Sequence, residues 1–153
     1  MSQLITLVDD HYKELLRSCR GNMLKREHTE PLLNEFLKKF PNYSLALRLR
    51  GLIYQNELAN ENLVKVDDPR FQVIIKSFES SIDADPTNTL ALIDLGGAWN
   101  DRGNFLKAIS YYEEALSLLN NGHYTDDIDE EREDAEAGLS EARERMKSIV
   151  PKK

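Results

Sequence analysis

The side chains best suited to catalysis or metal binding are three histidines and one cysteine, and their spacing brings none of them together. His11, His28 and His123 fall in different segments without paired ligand spacing, and no histidine neighbours Cys19 in sequence. Nucleophilic catalysis needs a base and an orienting group converging on one nucleophile, so these four read as ordinary surface or interface residues. The densest titratable run is Asp126 to Glu136, with eight carboxylates. It lacks the glycine turn of a calcium loop, and carboxylates at a helix start are favoured by the helix dipole. The run therefore reads as a solvated helix N-terminus, with a docking surface for a basic partner as the other reading. No glycine-rich phosphate loop, nucleophile elbow or metalloprotease motif is present. The expectation is a chain that is not an enzyme and uses no metal and no cofactor.

The elements around these residues are helical in pattern. The 153 residues are 41% hydrophobic and 31% charged, and glycine plus proline total only twelve, which favours helices over strands. One domain of this length buries roughly 70% of its unfolded surface. A single cysteine makes no internal disulfide, Met1 to Val8 lacks a basic leader, and no apolar run is long enough to span a bilayer. A cytoplasmic protein with no membrane contact is expected, and the glycosylation match at Asn42-Tyr43-Ser44 is then empty. Net charge is −7, laid out unevenly: residues 1–50 carry nine Lys/Arg against six Asp/Glu, and residues 51–153 carry eleven against twenty-one. Repulsion from phosphates argues against a nucleic-acid partner.

Spacing divides the chain into seven helices. Leu4, Val8, Tyr12, Leu15, Leu16 and Cys19 form one apolar stripe to about Arg20, where Gly21 and Asn22 offer a left-handed stop. Thr29 is placed as the cap of a second helix, with Pro31 in its first turn and Phe40-Pro41 as its end. The third runs from Ser44, capped by Asn42, to about Leu58, and its leucine density predicts burial on both sides. The pattern lapses from Ala59 to Asp68. Asp68-Pro69 starts the fourth helix, which stops at Asp85-Pro86. Asn88 opens the fifth, Arg102-Gly103 ends it, and Asn104 caps the sixth, which runs to about Leu119. A last helix spans about 126–148, with Ala135, Leu139, Ala142 and Met146 as a narrow stripe.

Two spacings relate these helices to one another. Gly51 and Gly96 are 45 residues apart, whereas Phe71 and Phe105, like Phe78 and Tyr112, are 34 apart. Such offsets describe one helical hairpin written at least twice, with about eleven residues added in one copy. The stretch Leu92, Leu95, Gly96, Ala98, Trp99, then Phe105, Ala108, Tyr112 and Ala115 resembles a tetratricopeptide repeat over nearly its full length. Leu47, Gly51, Tyr54, Phe71, Phe78 and Pro86 form a similar but degraded copy, with Arg50 where Leu95 stands and Ile74 where Ala108 stands. Leu33, Phe36 and Pro41 mark a first copy. Gly96 and Ala108 would remove bulk where two helices meet, and Ile74 would imply a wider approach in the middle hairpin.

The resemblance implies an all-α, right-handed α-α superhelix forming a single domain over 1–153. Its three hairpins would span about 3–40, 44–85 with an inserted loop near 59–68, and 88–119, followed by a capping helix. It also implies a concave groove lined by Arg48, Leu52, Gln55 and Asn56 of the third helix and Ile93, Gly97, Asn100 and Asp101 of the fifth. Relatives that clamp a C-terminal carboxylate use Lys, Asn and Arg at matching places. Leu52 and Gly97 stand here where asparagine is expected and Ile93 where a base is expected, so the implied groove is mixed and apolar, with Arg48 as its clear cation. The expected function is a non-catalytic adaptor or chaperone-like module holding a protein or peptide segment. The alternative is a structural protein acting through self-association, as a homodimer.

Overall fold

A computed structural model describes residues 2–61 and 68–150. Its order is α1 (Ser2–Ser18), α2 (Arg26–Lys39), α3 (Ser44–Asn60), α4 (Pro69–Ala84), α5 (Thr89–Asp101), α6 (Phe105–Asn120) and α7 (Ile128–Ile149). The protein is all-α, with no strand among the described residues; α1 packs on α2, α2 on α3 and α3 on α4, and separately α5 packs on α6 and α6 on α7. Contacts divide it into two compact units, Met1–Ala84 and Asp85–Lys153. Residues 62–67 of the expected loop lie outside the described residues, while Ala59 and Asn60 complete the last turn of α3.

In the first unit the stripe of α1 is used from its middle onward. Leu15 and Cys19 are buried with Leu33, Phe36, Leu37, Ala46, Leu47, Leu49 and Ile53, and Val8, Tyr12 and Leu16 pack against them. Tyr12, Phe36 and Tyr43 meet edge to face or tilted, at centroid distances of 5.1 to 5.7 Å, the arrangement that ring quadrupoles favour. Two expected caps are corrected here. Thr29 does not cap α2, which begins three residues earlier, at Arg26; Thr29 is fully buried, and its hydroxyl donates to the Asn22 carbonyl at 3.1 Å. Arg26 is drawn into the first turn by carboxylates of both α2 and α3. At α3 the N-cap position is Tyr43 rather than Asn42 and makes no side-chain cap; the Tyr43 phenol donates to Asp9 at 2.6 Å.

Helix α3 packs on α2 and on α4, as its leucine content predicts. Ser44 and Ser81 lock its start to α4, each hydroxyl donating to the other residue's carbonyl, at 2.7 and 2.8 Å. The wider approach expected from Ile74 does not extend to Gly51. A Cβ there would stand 2.7 Å from Cδ1 of Phe78, so the glycine is what admits the ring. Asp68 starts α4 as expected, its Oδ1 accepting from the Arg70 amide at 2.9 Å.

The second unit follows its local signals closely. Asn88 accepts from the Ala91 amide at 3.0 Å and Asn104 from the Lys107 amide at 3.2 Å, satisfying helix-start donors that have no intrahelical acceptor. Gly103 and Gly122 close the two helices at φ of 77° and 86°, where a side chain would be strained. The last helix starts at Ile128, later than expected, and its N-cap position, Asp127, makes no side-chain cap. Its fourth helical residue is Glu131, only 4% exposed, which accepts a hydrogen bond from the buried Thr89 hydroxyl. That bond ties the start of α7 to the start of α5.

Candidate functional site

Two helix faces carry the expected groove residues, one in each unit. On α3, Arg48, Leu52, Gln55 and Asn56 recur at the spacing of a single face and are all half-buried. The Asn56 amide donates to the Leu24 carbonyl at 3.1 Å, so this residue also fastens the turn before α2. Burial pushes the Tyr12 phenol up to about 12, with the charge of nearby Arg48 opposing the rise.

Immediately beyond this face is an ion-pair network that spacing alone did not reveal. Arg26 donates to Glu30 at 2.6 Å and to Glu57 at 2.8 Å, and its guanidinium lies 4.0 Å over the Tyr54 ring. Tyr54 in turn donates to the other oxygen of Glu30 at 2.8 Å. Arg70 approaches the same Glu57 oxygen at 3.2 Å, grips Glu61 with both terminal nitrogens at 2.8 and 2.7 Å, and reaches Asp68 at 2.8 Å. Burial pushes the Glu30 carboxyl up, but the bonds from Arg26 and Tyr54 together outweigh it and hold it below the ordinary range. Arg70 holds Glu61 below its ordinary value as well. Glu61 and Asp68 flank residues 62–67, so one guanidinium fixes both described ends of that interval.

On α5, the expected residues differ in availability. Ile93 is half-buried against Ala108, Tyr112, Leu139 and Ala142. Gly97 has room beside it, since a Cβ there would meet only Tyr112 Oη, at 3.6 Å. Asn100 is 4% exposed; its carbonyl accepts from Arg145 Nη1 at 3.1 Å, and its Oδ1 is buried with no partner among the described residues. Asp101 is exposed, yet partial burial raises its carboxyl above the usual range, with Arg145 opposing and Glu141 adding to the rise. Tyr112 is core, 4% exposed, as its repeat position predicts. Trp99 is half-buried at the edge of the same cluster, with Lys107 Nζ 4.1 Å over its ring.

Cys19, His11 and His28 each meet different groups. Cys19 is buried beneath Thr29, whose hydroxyl lies 3.6 Å from Sγ, and His11 engages its own helix at the Leu7 carbonyl, 2.7 Å away. His28 stands 3.7 Å from Glu27 at the surface. Among the described residues no three His, Cys, Asp or Glu side chains are grouped to hold a metal, and no helix is long and apolar enough to cross a membrane. The acidic start of α7 is solvated at Asp129 and Glu130 and buried at Glu131.

The sequence was compared with family models and with curated proteins, and neither comparison gives a match.

Proposed function

We propose that this protein is a non-catalytic interaction module of the tetratricopeptide type, an adaptor or chaperone-like protein that holds a segment of a partner protein. The reading includes the right-handed superhelix of three hairpins with a capping helix, and binding along the half-buried face of α3 and the Gly97 face of α5. One observation carries it: the hairpins α3–α4 and α5–α6 repeat the same contact. In each, a glycine of the first helix is overlaid by an aromatic ring of the second, Gly51 by Phe78 and Gly96 by Tyr112. Repetition of one packing device in two hairpins is what a helical repeat array requires. The separate positions of His11, His28, His123 and Cys19 support a role without chemistry, and a lone buried thiol suits a reducing cytoplasm.

The test is capture from the native lysate, comparing the wild type with a Leu52→Glu, Gly97→Glu double variant whose helicity is first verified by circular dichroism. A partner held by the wild type and lost by the variant supports face-directed binding. Identical partners on both proteins overturn it.

Self-association is the second reading, favoured by the first turns of α1. There Leu4, Ile5 and Leu7 are 66%, 61% and 49% exposed, extending the helix's apolar stripe past the part that the unit covers. Light scattering across protein concentration separates the two readings, since a constant monomer mass removes this one.

A further inference from the structure

Helix α1 carries two seams, and its unit covers only one of them. Val8, Tyr12, Leu15 and Cys19 recur at intervals of four, three and four and belong to the core of the first unit. Ile5, three residues before Val8, extends this seam past the part that is covered. Leu4, Leu7 and His11 recur at three and four along the neighbouring seam, and all three are exposed. The His11 imidazole donates to the Leu7 carbonyl at 2.7 Å and stands edge-on to Phe40, the residue that ends α2, at a centroid distance of 5.5 Å. The second seam therefore runs from the tip of α1 onto the aromatic end of α2. Single exposed leucines are ordinary, but three large aliphatic side chains within four positions make a patch whose exposure to water is unfavourable.

A second copy of this chain fits the seam by charge and by symmetry. The first turn of α1 holds no acidic residue, so no carboxylate of its own meets the partial positive charge on its opening amides. Glu14 continues the seam one turn beyond His11; it is exposed and pairs with Arg17 through one oxygen, at 3.3 Å. Consider two α1 helices lying antiparallel about a two-fold axis at Leu7. Helical spacing then sets Leu7 beside Leu7, Leu4 of each copy beside His11 of the other, and each Glu14 at the start of the opposite helix. Apolar groups meet apolar groups, and a carboxylate meets a helix start that lacks one. An isologous contact also uses the same patch twice, so α1 needs no complementary surface elsewhere on the chain.

We propose that α1 pairs antiparallel with α1 of a second copy along Leu4, Leu7 and His11, forming a two-fold dimer. So few side chains fall short of the ~800 Å² per partner of a standard interface, and the dimer is weak and concentration-dependent. The inference rests on the self-association reading above and gives it a helix, a register and a symmetry. It makes no use of the α3 and α5 faces.

The experiment is sedimentation equilibrium of the full chain from micromolar to millimolar concentration. The wild-type mass should rise from one chain toward two, with a midpoint on the order of 100 µM. Leu4→Glu with Leu7→Glu should raise that midpoint about tenfold or more, since it places charge in an apolar contact. Both positions are exposed, so the fold should survive, and circular dichroism verifies this. Leu106→Glu, at an exposed leucine of α6, should leave the midpoint unchanged. Leu7→Cys, on the two-fold axis, should form a disulfide-linked dimer under mild oxidation, whereas Leu106→Cys should not. The native thiol, Cys19, is buried and does not compete. A dimer indifferent to the two glutamates, or a Leu7→Cys protein that stays unlinked, overturns the α1 pairing and leaves self-association standing through another surface. A mass that climbs past two chains overturns the closed two-fold contact. A wild type that stays one chain at every concentration overturns the self-association reading and this inference together, and assigns the patch to a different protein.

Discussion

The Tyr112 ring fills the space that a side chain on Gly138 would need, while Gly96 of α5 makes room for the same ring, with a Cβ there only 2.9 Å from Cε1. Three helices of the second unit therefore converge on one aromatic residue, which is 4% exposed. Tyr112 acts as a shared knob, seated by one glycine from α5 and another from α7.

Substitutions at these glycines should separate by sign. Gly96→Val overpacks the contact and should cost about 1–3 kcal/mol, with a lower melting temperature. Gly138→Ala should also destabilise despite the better helix propensity of alanine, because the obstacle is a buried ring. Gly97→Ala meets only an ordinary contact at 3.6 Å and should stabilise by up to about 1 kcal/mol through propensity alone. Urea denaturation of the three variants checks the order, and a stabilised Gly138→Ala would mean that Tyr112 is not seated there.

Thr89→Val should cost about 1–3 kcal/mol, since the isosteric change leaves the buried Glu131 carboxylate without its hydroxyl donor. Hydrogen exchange should report the loss first in the opening turns of α7. If protection there is unchanged, the bond contributes nothing to docking that helix.

Removing Arg70 should loosen the end of α3 against the start of α4. Arg70→Ala leaves Asp68 and Glu57 short of a partner, and Asp68 is the more buried, its side chain 10% exposed. A loss of stability is expected at low salt, narrowing as salt rises and screens the network. Denaturation midpoints at two ionic strengths measure both terms, and a salt-independent difference would indicate lost packing instead of lost charge.

The depressed carboxyls set an acid limit. The stability contributed by Glu30, whose folded value lies below the unfolded one, is fully present above an unfolded pKa of about 4.3. It is lost as pH falls through the lower folded value. Glu30→Gln should therefore lower stability at pH 7 and show a shallower fall between pH 5 and pH 3 than the wild type. Parallel curves for the two proteins would remove Glu30 from the acid response.

Much of the fold was legible because its signals are local. Asp68-Pro69, Asn88 and Asn104 begin helices where expected, since a side-chain oxygen two or three residues before an unsatisfied amide caps it whatever the rest of the chain does. Thr29 and Asn42 were misleading for the opposite reason. Each is a good cap by type, but a buried contact to Asn22 drew the first inward, and the Tyr43 to Asp9 bond set the chain entering α3. The candidate site was legible as a set of positions on α3 and α5. That Asn100 would be buried and Asp101 exposed, one residue apart, was not, because helical spacing gives a face and not its depth.

The sequence by itself determined that this protein is helical, where most helices begin and end, and that Gly51 with Phe78 and Gly96 with Tyr112 stand in corresponding places, all consequences of spacing along one chain. Tertiary structure alone decided that Gly138 is a second seat for Tyr112, that Arg26 and Arg70 meet on Glu57, and that Asp101 and Glu141 lie near one phenol. Periodicity fixes which residues share a helix face. Only packing, which joins residues some thirty to forty positions apart, decides which faces meet and how deeply each side chain is held from water.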